Sequence, residues 1–340
     1  MFASYLSRVM EKHRLGNAEM EEAMEQIMEG AVPPVQVAAF LAALRARGET
    51  PAEIGGAARV LLRKARTVPV RPGLLVDNCG TGGDCAGSFN ISTAAAFVAA
   101  GGGIPMAKHG NRSVSSRCGS ADVAEALRAA LPSSPERAAA CLDAAGLVLL
   151  FAPHFHPVMG NVAEIRKSLG VRTLFNILGP LVNPAPLTHQ VMGVFDTALL
   201  SLVAEVLRSL GRQGMVISGH GGFDELSLGG PNRVVFFSAE GIREESVSPA
   251  DGGLPLRGNE ELAGGSAPEN AALIEDVLAG KRGAPRDAVI FNAAAVFLAA
   301  GRAKNWKEGT ALAAESIDSG RAASVLEKVR AFAEPVRRSA

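Results

Sequence analysis

Among 340 residues there is one tryptophan, one tyrosine and four cysteines, and 34 Lys and Arg are balanced by 34 Asp and Glu. Each shortage excludes something. So few aromatics leave no stacking platform for single-stranded nucleic acid, and a formal net charge of zero excludes a polybasic, DNA-wrapping chain. Cys79, Cys85, Cys118 and Cys141 form no CxxC pair and no Cys/His spacing of a zinc site or disulfide framework, which points to a reducing, cytoplasmic setting. No apolar run reaches the ~18 residues of a membrane span. The amino terminus, MFASYLSRVMEKHR, is charged and amphipathic, so neither export nor membrane attachment is expected.

What is present is a globular composition, 48% hydrophobic and 20% charged, rich in alanine and with 38 glycines. Small residues suit helices packed closely on a sheet, although a coding bias would also enrich alanine. Residues 1–70 read as four short helices. Asn17 precedes an acidic-apolar run ending at Gly30, Pro33 and Pro34 open the next, and Thr50-Pro51-Ala52-Glu53 has capping-box spacing. Their apolar residues exceed what four short helices can bury, so the surplus covers either a subunit interface or the next domain. From residue 71 to 340 short apolar runs alternate with glycine-rich turns and alanine-rich helices, the grammar of a mostly parallel α/β sheet. Strands are predicted at 74–78, 104–107, 147–151, 190–194, 215–218 and 234–237. Helices are predicted at 92–100, 121–129, 135–144, 161–169, 197–210, 272–279, 287–300, 309–318 and 321–333, with 250–266 an exposed connection.

Three stretches at predicted strand ends carry chemistry. The first is Asp77-Asn78-Cys79-Gly80-Thr81-Gly82-Gly83-Asp84, followed by Ser88, Asn90, Ile91, Ser92 and Thr93 at a helix start. Glycines let backbone N–H groups face an anion while the next helix offers its positive end, so this reads as a phosphate cradle or as a plain tight turn. It is neither a Walker A loop nor a GxGxxG. The second is Lys108-His109-Gly110-Asn111-Arg112-Ser113-Val114-Ser115-Ser116 with Ser120 opening a helix, a set of cations and hydroxyls suited to a polyphosphate, or a solvated basic loop. The third, Gly219-His220-Gly221-Gly222-Phe223-Asp224-Glu225, offers adjacent carboxylates of the kind magnesium uses together with substrate phosphates. Arg166 beside the Pro/Gly-rich bend at 172–184 could clamp a carboxylate. His154 and His156 lack a third ligand and read as a packed turn.

These residues, with His156-Pro157, Arg286-Asp287, Asn292-Ala293-Ala294 and Ile317-Asp318-Ser319-Gly320, run in order nearly end to end, and on them the chain resembles the anthranilate phosphoribosyltransferases, of the nucleoside-phosphorylase-like fold class. It departs from that pattern at Cys85, Ser88 and Gly160, where Gly, Thr and Lys are usual, and none of these removes a charged ligand. The resemblance implies a small N-terminal helical domain (1–70, joined by helices near 165–185) and a larger α/β domain (71–340). It implies a magnesium-dependent pentosyltransferase of tryptophan biosynthesis, a cytoplasmic homodimer through its N-terminal helices, acting on 5-phosphoribosyl 1-diphosphate (PRPP) and anthranilate. Carried over by position, Gly80, Gly83, Asp84, Ser88, Asn90, Ile91, Ser92, Thr93, Lys108, His109, Gly110, Asn111, Arg112, Ser113, Val114, Ser115, Ser116 and Ser120 hold PRPP. Ser92, Asp224 and Glu225 hold magnesium, expected as two ions per subunit, and Gly80, Asn111, Arg166, His109 and Gly179 meet anthranilate. No covalent nucleophile is assigned. A pyrimidine-nucleoside phosphorylase and a nucleic-acid-binding relative are the competing readings, the latter disfavoured by zero net charge.

Overall fold

Apolar runs too short for helices, each closed by a turn, build the strands, and the alanine-rich segments between them build the covering helices. The chain is seen in a computed structural model that describes residues 2–83, 87–113 and 117–333. Along it come α1 (Phe2–Met10), α2 (Asn17–Met28), α3 (Pro34–Arg47), α4 (Pro51–Arg63), β1 (Val76–Gly80), α5 (Ile91–Gly101), β2 (Met106–Gly110), α6 (Ser120–Ala126), α7 (Pro135–Ala145) and β3 (Leu147–Phe151). Then follow the single turn α8 (Ala152–Phe155), α9 (Gly160–Leu169), α10 (Leu174–Leu181), β4 (His189–Gly193), α11 (Leu200–Ser209), β5 (Gln213–Ser218), β6 (Asn232–Ser238) and β7 (Gly241–Val247). The helices α12 (Ala267–Leu278), α13 (Ala284–Ala299), α14 (Trp306–Asp318) and α15 (Arg321–Arg330) complete it.

The sheet order is β3-β2-β1-β4-β5-β6-β7, parallel from β3 to β5 and antiparallel from β5 to β7. The chain moves outward from β1 to β3 and returns to the other side of β1 as β4. Connections therefore diverge between β1 and β4, and the crevice at their carboxyl ends is where such sheets bind ligands. One face of the sheet is covered by α5, α7 and α12 to α15, with α13 buried along most of its length. The other is covered by α11 and, beyond it, by the helical unit.

In that unit the expected capping box forms. Thr50 Oγ1 accepts from Glu53 N at 3.3 Å and Glu53 Oε2 accepts from Thr50 N at 2.9 Å. Glu53 does more, because Leu15 N donates to Oε1 at 2.8 Å and Arg47 donates to both oxygens at 2.6 Å. The surplus apolar residues Met20, Met24, Ile27, Phe40 and Leu41 are buried within the chain itself, in a cluster shared with α9, α10 and α11. Met10 and Val35 remain exposed.

Four expectations are corrected. β1 and β2 run further than predicted, through Gly80 and Gly110, because β1 pairs residue for residue with β4 and β2 with β3. The 172–184 bend contains α10, started by Thr173 and Asn176 and kept helical by its buried Leu174, Phe175, Ile177 and Leu178 despite Pro180. β7 is not among the predicted strands because Arg243, Glu244 and Glu245 hide its pattern, and such charges protect an edge strand. The 250–266 connection is not simply exposed: it forms two short 3₁₀ turns and buries Leu262. No helix among the described residues is long and apolar enough to cross a membrane.

Candidate active site

The segment leaving β5 at Gly219 doubles back over the ends of β1 and β4. Missing side chains make that crossing possible: a β-carbon on Gly80 would overlap Asp224 Oδ2, and one on Gly193 would overlap the Asp224 carbonyl oxygen. Asp224 Oδ2 accepts from Gly82 N at 2.7 Å, Glu225 Oε1 from Ser92 N at 2.9 Å and Glu225 Oε2 from the Ser88 hydroxyl at 3.2 Å. The acidic pair, the glycine-rich loop and the start of α5 are thereby one cluster.

The glycine-rich loop turns through left-handed conformations at Gly82 and Gly83, with φ of 65° and 73°. Arg172 donates to the Gly83 carbonyl while its guanidinium lies 4.1 Å from the centroid of Phe195. The 250–266 connection braces the loop from outside, Gly264 N donating to Gly87 O at 2.7 Å and Phe89 N to Leu262 O at 3.0 Å. At the start of α5, Asn90 spans Cys118 O (3.2 Å) and Asn270 Nδ2 (3.0 Å), Ile91 packs into the core, and Thr93 Oγ1 is buried with no partner among the described residues. Helix N-termini of this kind present N–H groups and a positive end to anions.

On β2 the expected phosphate lysine points elsewhere. Lys108 is buried, its ammonium donating to the Asn78 carbonyl beside Asp77. Burial pushes the Asp77 carboxyl up from its usual range against the pull of Lys108. Asn111 and Ser120 close the strand end, Asn111 N donating to Ser120 Oγ at 3.1 Å. Arg112 is turned to Glu125 and Asp122, at 2.6 and 2.9 Å, which raise its pKa further, while Ser113 N donates to Asp122 at 3.1 Å. Asp84, Cys85, Val114, Ser115 and Ser116 lie outside the described residues.

His109 is buried with Nδ1 3.1 Å from the Gly179 carbonyl. A carbonyl only accepts, so Nδ1 carries the proton and the neutral ring presents Nε2 as an acceptor. That nitrogen has no partner among the described residues. Burial first, then neighbouring His156, whose ring centroid is 5.4 Å away, lowers the His109 pKa to about 3. His154 Nδ1 instead meets Pro132 O at 3.2 Å, the packed turn expected. Arg166 is half-buried, its guanidinium 5.3 Å from the Phe175 centroid and its pKa lowered by desolvation. No hydrogen bond joins it to the strand-end cluster among the described residues.

Reading the sequence missed Arg172, Gln190 and Arg212. Gln190 accepts from Arg212 Nη1 and donates to Pro180 O, both at 2.7 Å, tying β4 and β5 to the end of α10. Nothing in a local pattern signals such long-range contacts. The donors gathered at Asp224 and Glu225 are hard oxygens, and no cluster of three or more His, Cys, Asp or Glu that could hold a metal occurs among the described residues. That set fits magnesium, which takes one or two carboxylates and fills its sphere with water and phosphate oxygens.

The sequence matches two family models, one described as glycosyl transferase family, helical bundle domain, over residues 3–65, the other as glycosyl transferase family, a/b domain, over residues 73–323. An anthranilate phosphoribosyltransferase of Moorella thermoacetica is 48% identical over 98% of this chain and 99% of its own, and one of Roseiflexus castenholzii is 48% identical over 95% of each. A crystal structure of anthranilate phosphoribosyltransferase from Thermus thermophilus superposes with a TM-score of 0.92 at 45% identity, covering 96% of this chain and 98% of that one. The Saccharomyces cerevisiae enzyme in complex with PRPP and Mg gives 0.90 at 28% identity, covering 98% and 97%.

Proposed function

The chain belongs to the anthranilate phosphoribosyltransferase family, and from that premise we infer that it transfers the phosphoribosyl group of PRPP to the amine of anthranilate, releasing pyrophosphate, in tryptophan biosynthesis. The observation that carries this reading is the union of glycine-rich loop, α5 N-terminus and acidic pair through Gly82–Asp224, Ser88–Glu225 and Ser92–Glu225. In the reaction the bond from the ribose C1 to a pyrophosphate oxygen breaks, a bond from C1 to the anthranilate nitrogen forms, and that nitrogen sheds a proton. Negative charge grows on the leaving group. The positive end of α5 is suited to meet it, because a fixed dipole needs no reorganisation as charge develops, whereas the Thr81 and Gly82 amides, held by Gly193 O and Asp224 Oδ2, reach it only by exchanging partners.

Magnesium fits beside them, held by Asp224, Glu225 and Ser92, and two ions per subunit belong to this reading. When bound it supplies positive charge to the diphosphate oxygens. For the acceptor, Arg166 matches the carboxylate and Asn111 and Gly179 shape the approach. The Nε2 lone pair of neutral His109 suits an amine N–H. An aryl amine is nucleophilic when neutral, so orientation takes the place of a strong base or a covalent nucleophile. Lys108 and Arg112, bound to Asn78 and to Asp122 and Glu125, contribute to the field or change partner when PRPP binds.

The division near residue 70, with α9 and α10 carried by the helical unit, belongs to the same reading and is supported by their packing on α2, α3 and α4. So does a cytoplasmic homodimer through the exposed Met10 and Val35 of the mutually packed α1 and α3, and a monomer in analytical ultracentrifugation would overturn it. The function itself is tested by the loss of anthranilate fluorescence on mixing protein, PRPP and MgCl₂. Rapid magnesium-dependent loss is expected, with Asp224→Asn slowed by at least roughly 10²-fold and Arg166→Ala raising the anthranilate KM. A folded wild-type protein that leaves the fluorescence unchanged would sink the assignment.

A further inference from the structure

The motif Asn292-Ala293-Ala294 has no place in the site so far, yet α13 carries Asn292 to the residue that follows the acidic pair. Its side chain is buried and its amide is fully used: Oδ1 accepts from Leu226 N at 2.9 Å, and Nδ2 donates to Leu226 O and to Ala288 O, each at 2.9 Å. Two bonds to one residue fix both its position and its rotation, as a neighbouring strand would. Leu226 is thereby locked in register, and Glu225 and Asp224 are the next two residues upstream. The support is rigid, because α13 is a long core helix packed on α5, whose Ser92 N–H donates to Glu225. A second buried asparagine, Asn232, holds the same loop at His220 N (3.1 Å) and Ser227 N (2.8 Å).

We propose that Asn292 is a positioning residue for magnesium: its bidentate grip on the Leu226 backbone holds the Asp224 and Glu225 carboxylates in the geometry the ion and the PRPP diphosphate require. The inference rests on the magnesium reading above. It acts through backbone and touches no reacting atom, so its mark is the metal requirement. Outer-shell partners of metal ligands typically contribute ~10–100-fold in affinity. Asn292→Ala is therefore expected to raise the magnesium concentration for half-maximal activity by about tenfold, with kcat recovering at saturating magnesium. PRPP binding followed by calorimetry over the same magnesium series should weaken in parallel, a readout that needs no turnover.

Ser316→Ala is the control for a merely structural effect, since it removes another buried hydrogen bond, Oγ to Val98 O at 2.7 Å, away from the acidic loop. It should lower stability and leave the magnesium requirement where it was. If Asn292→Ala moves that requirement no more than Ser316→Ala does, the proposal is overturned. Should Asn292→Ala fail to fold, Asn292→Ser, which puts a shorter hydroxyl in place of the amide, is read by the same criterion. A wild-type protein without transferase activity would defeat the function, whereas an active wild type with an unmoved Asn292 variant would defeat the positioning role alone.

Discussion

The interiors of the helical unit and of the strand ends are held together by different chemistry. From α1 to α4 the buried polar side chains among the described residues are few, Thr50, Glu53 and the Arg47 that pairs with Glu53, and the rest of the interior is chiefly apolar. From the amino end of β5 to the carboxyl ends of β1 and β2 buried polar groups crowd together: Asp77, Asn78, Lys108, His109, Asn183, Gln190, Arg212, Glu225, Asn232 and Asn292. Each must be paired to be tolerated. Asp77 accepts from Asn183 Nδ2 at 2.9 Å and from His109 N at 3.3 Å, and Arg212, whose pKa burial lowers to about 10, is matched to Gln190. Apolar burial is non-directional, so the first region contributes stability and tolerates small shifts. Hydrogen-bonded networks are directional, so the second sets angles and distances at a cost in desolvation.

Two substitutions would break or sharpen that contrast. The larger effect is expected from Phe40→Ala, which empties a fully buried ring position in the helical unit and should cost about 3–5 kcal/mol in urea unfolding. Activity per folded molecule should hardly change, and a matching loss of kcat/KM would erase the distinction. Gly80→Ala should do the reverse. Its β-carbon would collide with the Asp224 carboxylate, so turnover should fall by at least roughly 10²-fold, about 2.7 kcal/mol, with a smaller shift in the unfolding midpoint. A variant that unfolds more readily but turns over normally would show that the crossing of the acidic loop is not what the glycine serves.

The three strand-end motifs are legible in the sequence because glycines, hydroxyls and carboxylates cluster there within a few residues of an apolar run. Gly80, Ser88, Ser92, Asp224 and Glu225 do meet. What stays hidden depends on distance along the chain. Arg172 on the Gly83 carbonyl and Asn292 on Leu226 join segments 89 and 66 residues apart, and no local periodicity records such a bond. α10 is masked by Gly179 and Pro180, whose punctuation is overridden by the buried side chains before them and whose carbonyls are then used, one by His109 and one by Gln190. Arg112 shows the converse. Its cationic loop reads as facing phosphate, and Glu125 and Asp122, thirteen and ten residues later on the next helix, take the guanidinium instead.

The last expected effect is the pH dependence of stability that buried imidazoles give to the strand ends. His13, the histidine of the helical unit, is exposed, whereas His109 and His156 are buried beside each other and burial lowers them to about 3 and about 4. Both are neutral in the fold, and an unfolded histidine titrates near 6.5. Between about pH 6.5 and 4 the unfolded chain therefore binds more protons, so the stability these rings contribute is complete above the unfolded value and drains away as pH falls through that window. The slope is up to about 1.4 kcal/mol per pH unit for each ring. Urea midpoints measured between pH 7 and 4.5 should fall for the wild type and fall less steeply for His109→Gln/His156→Gln, because glutamine has no proton to gain. An unchanged slope would mean that the acid sensitivity arises among the carboxylate pairs, and would remove the imidazoles from the list of groups by which the strand ends differ from the helices.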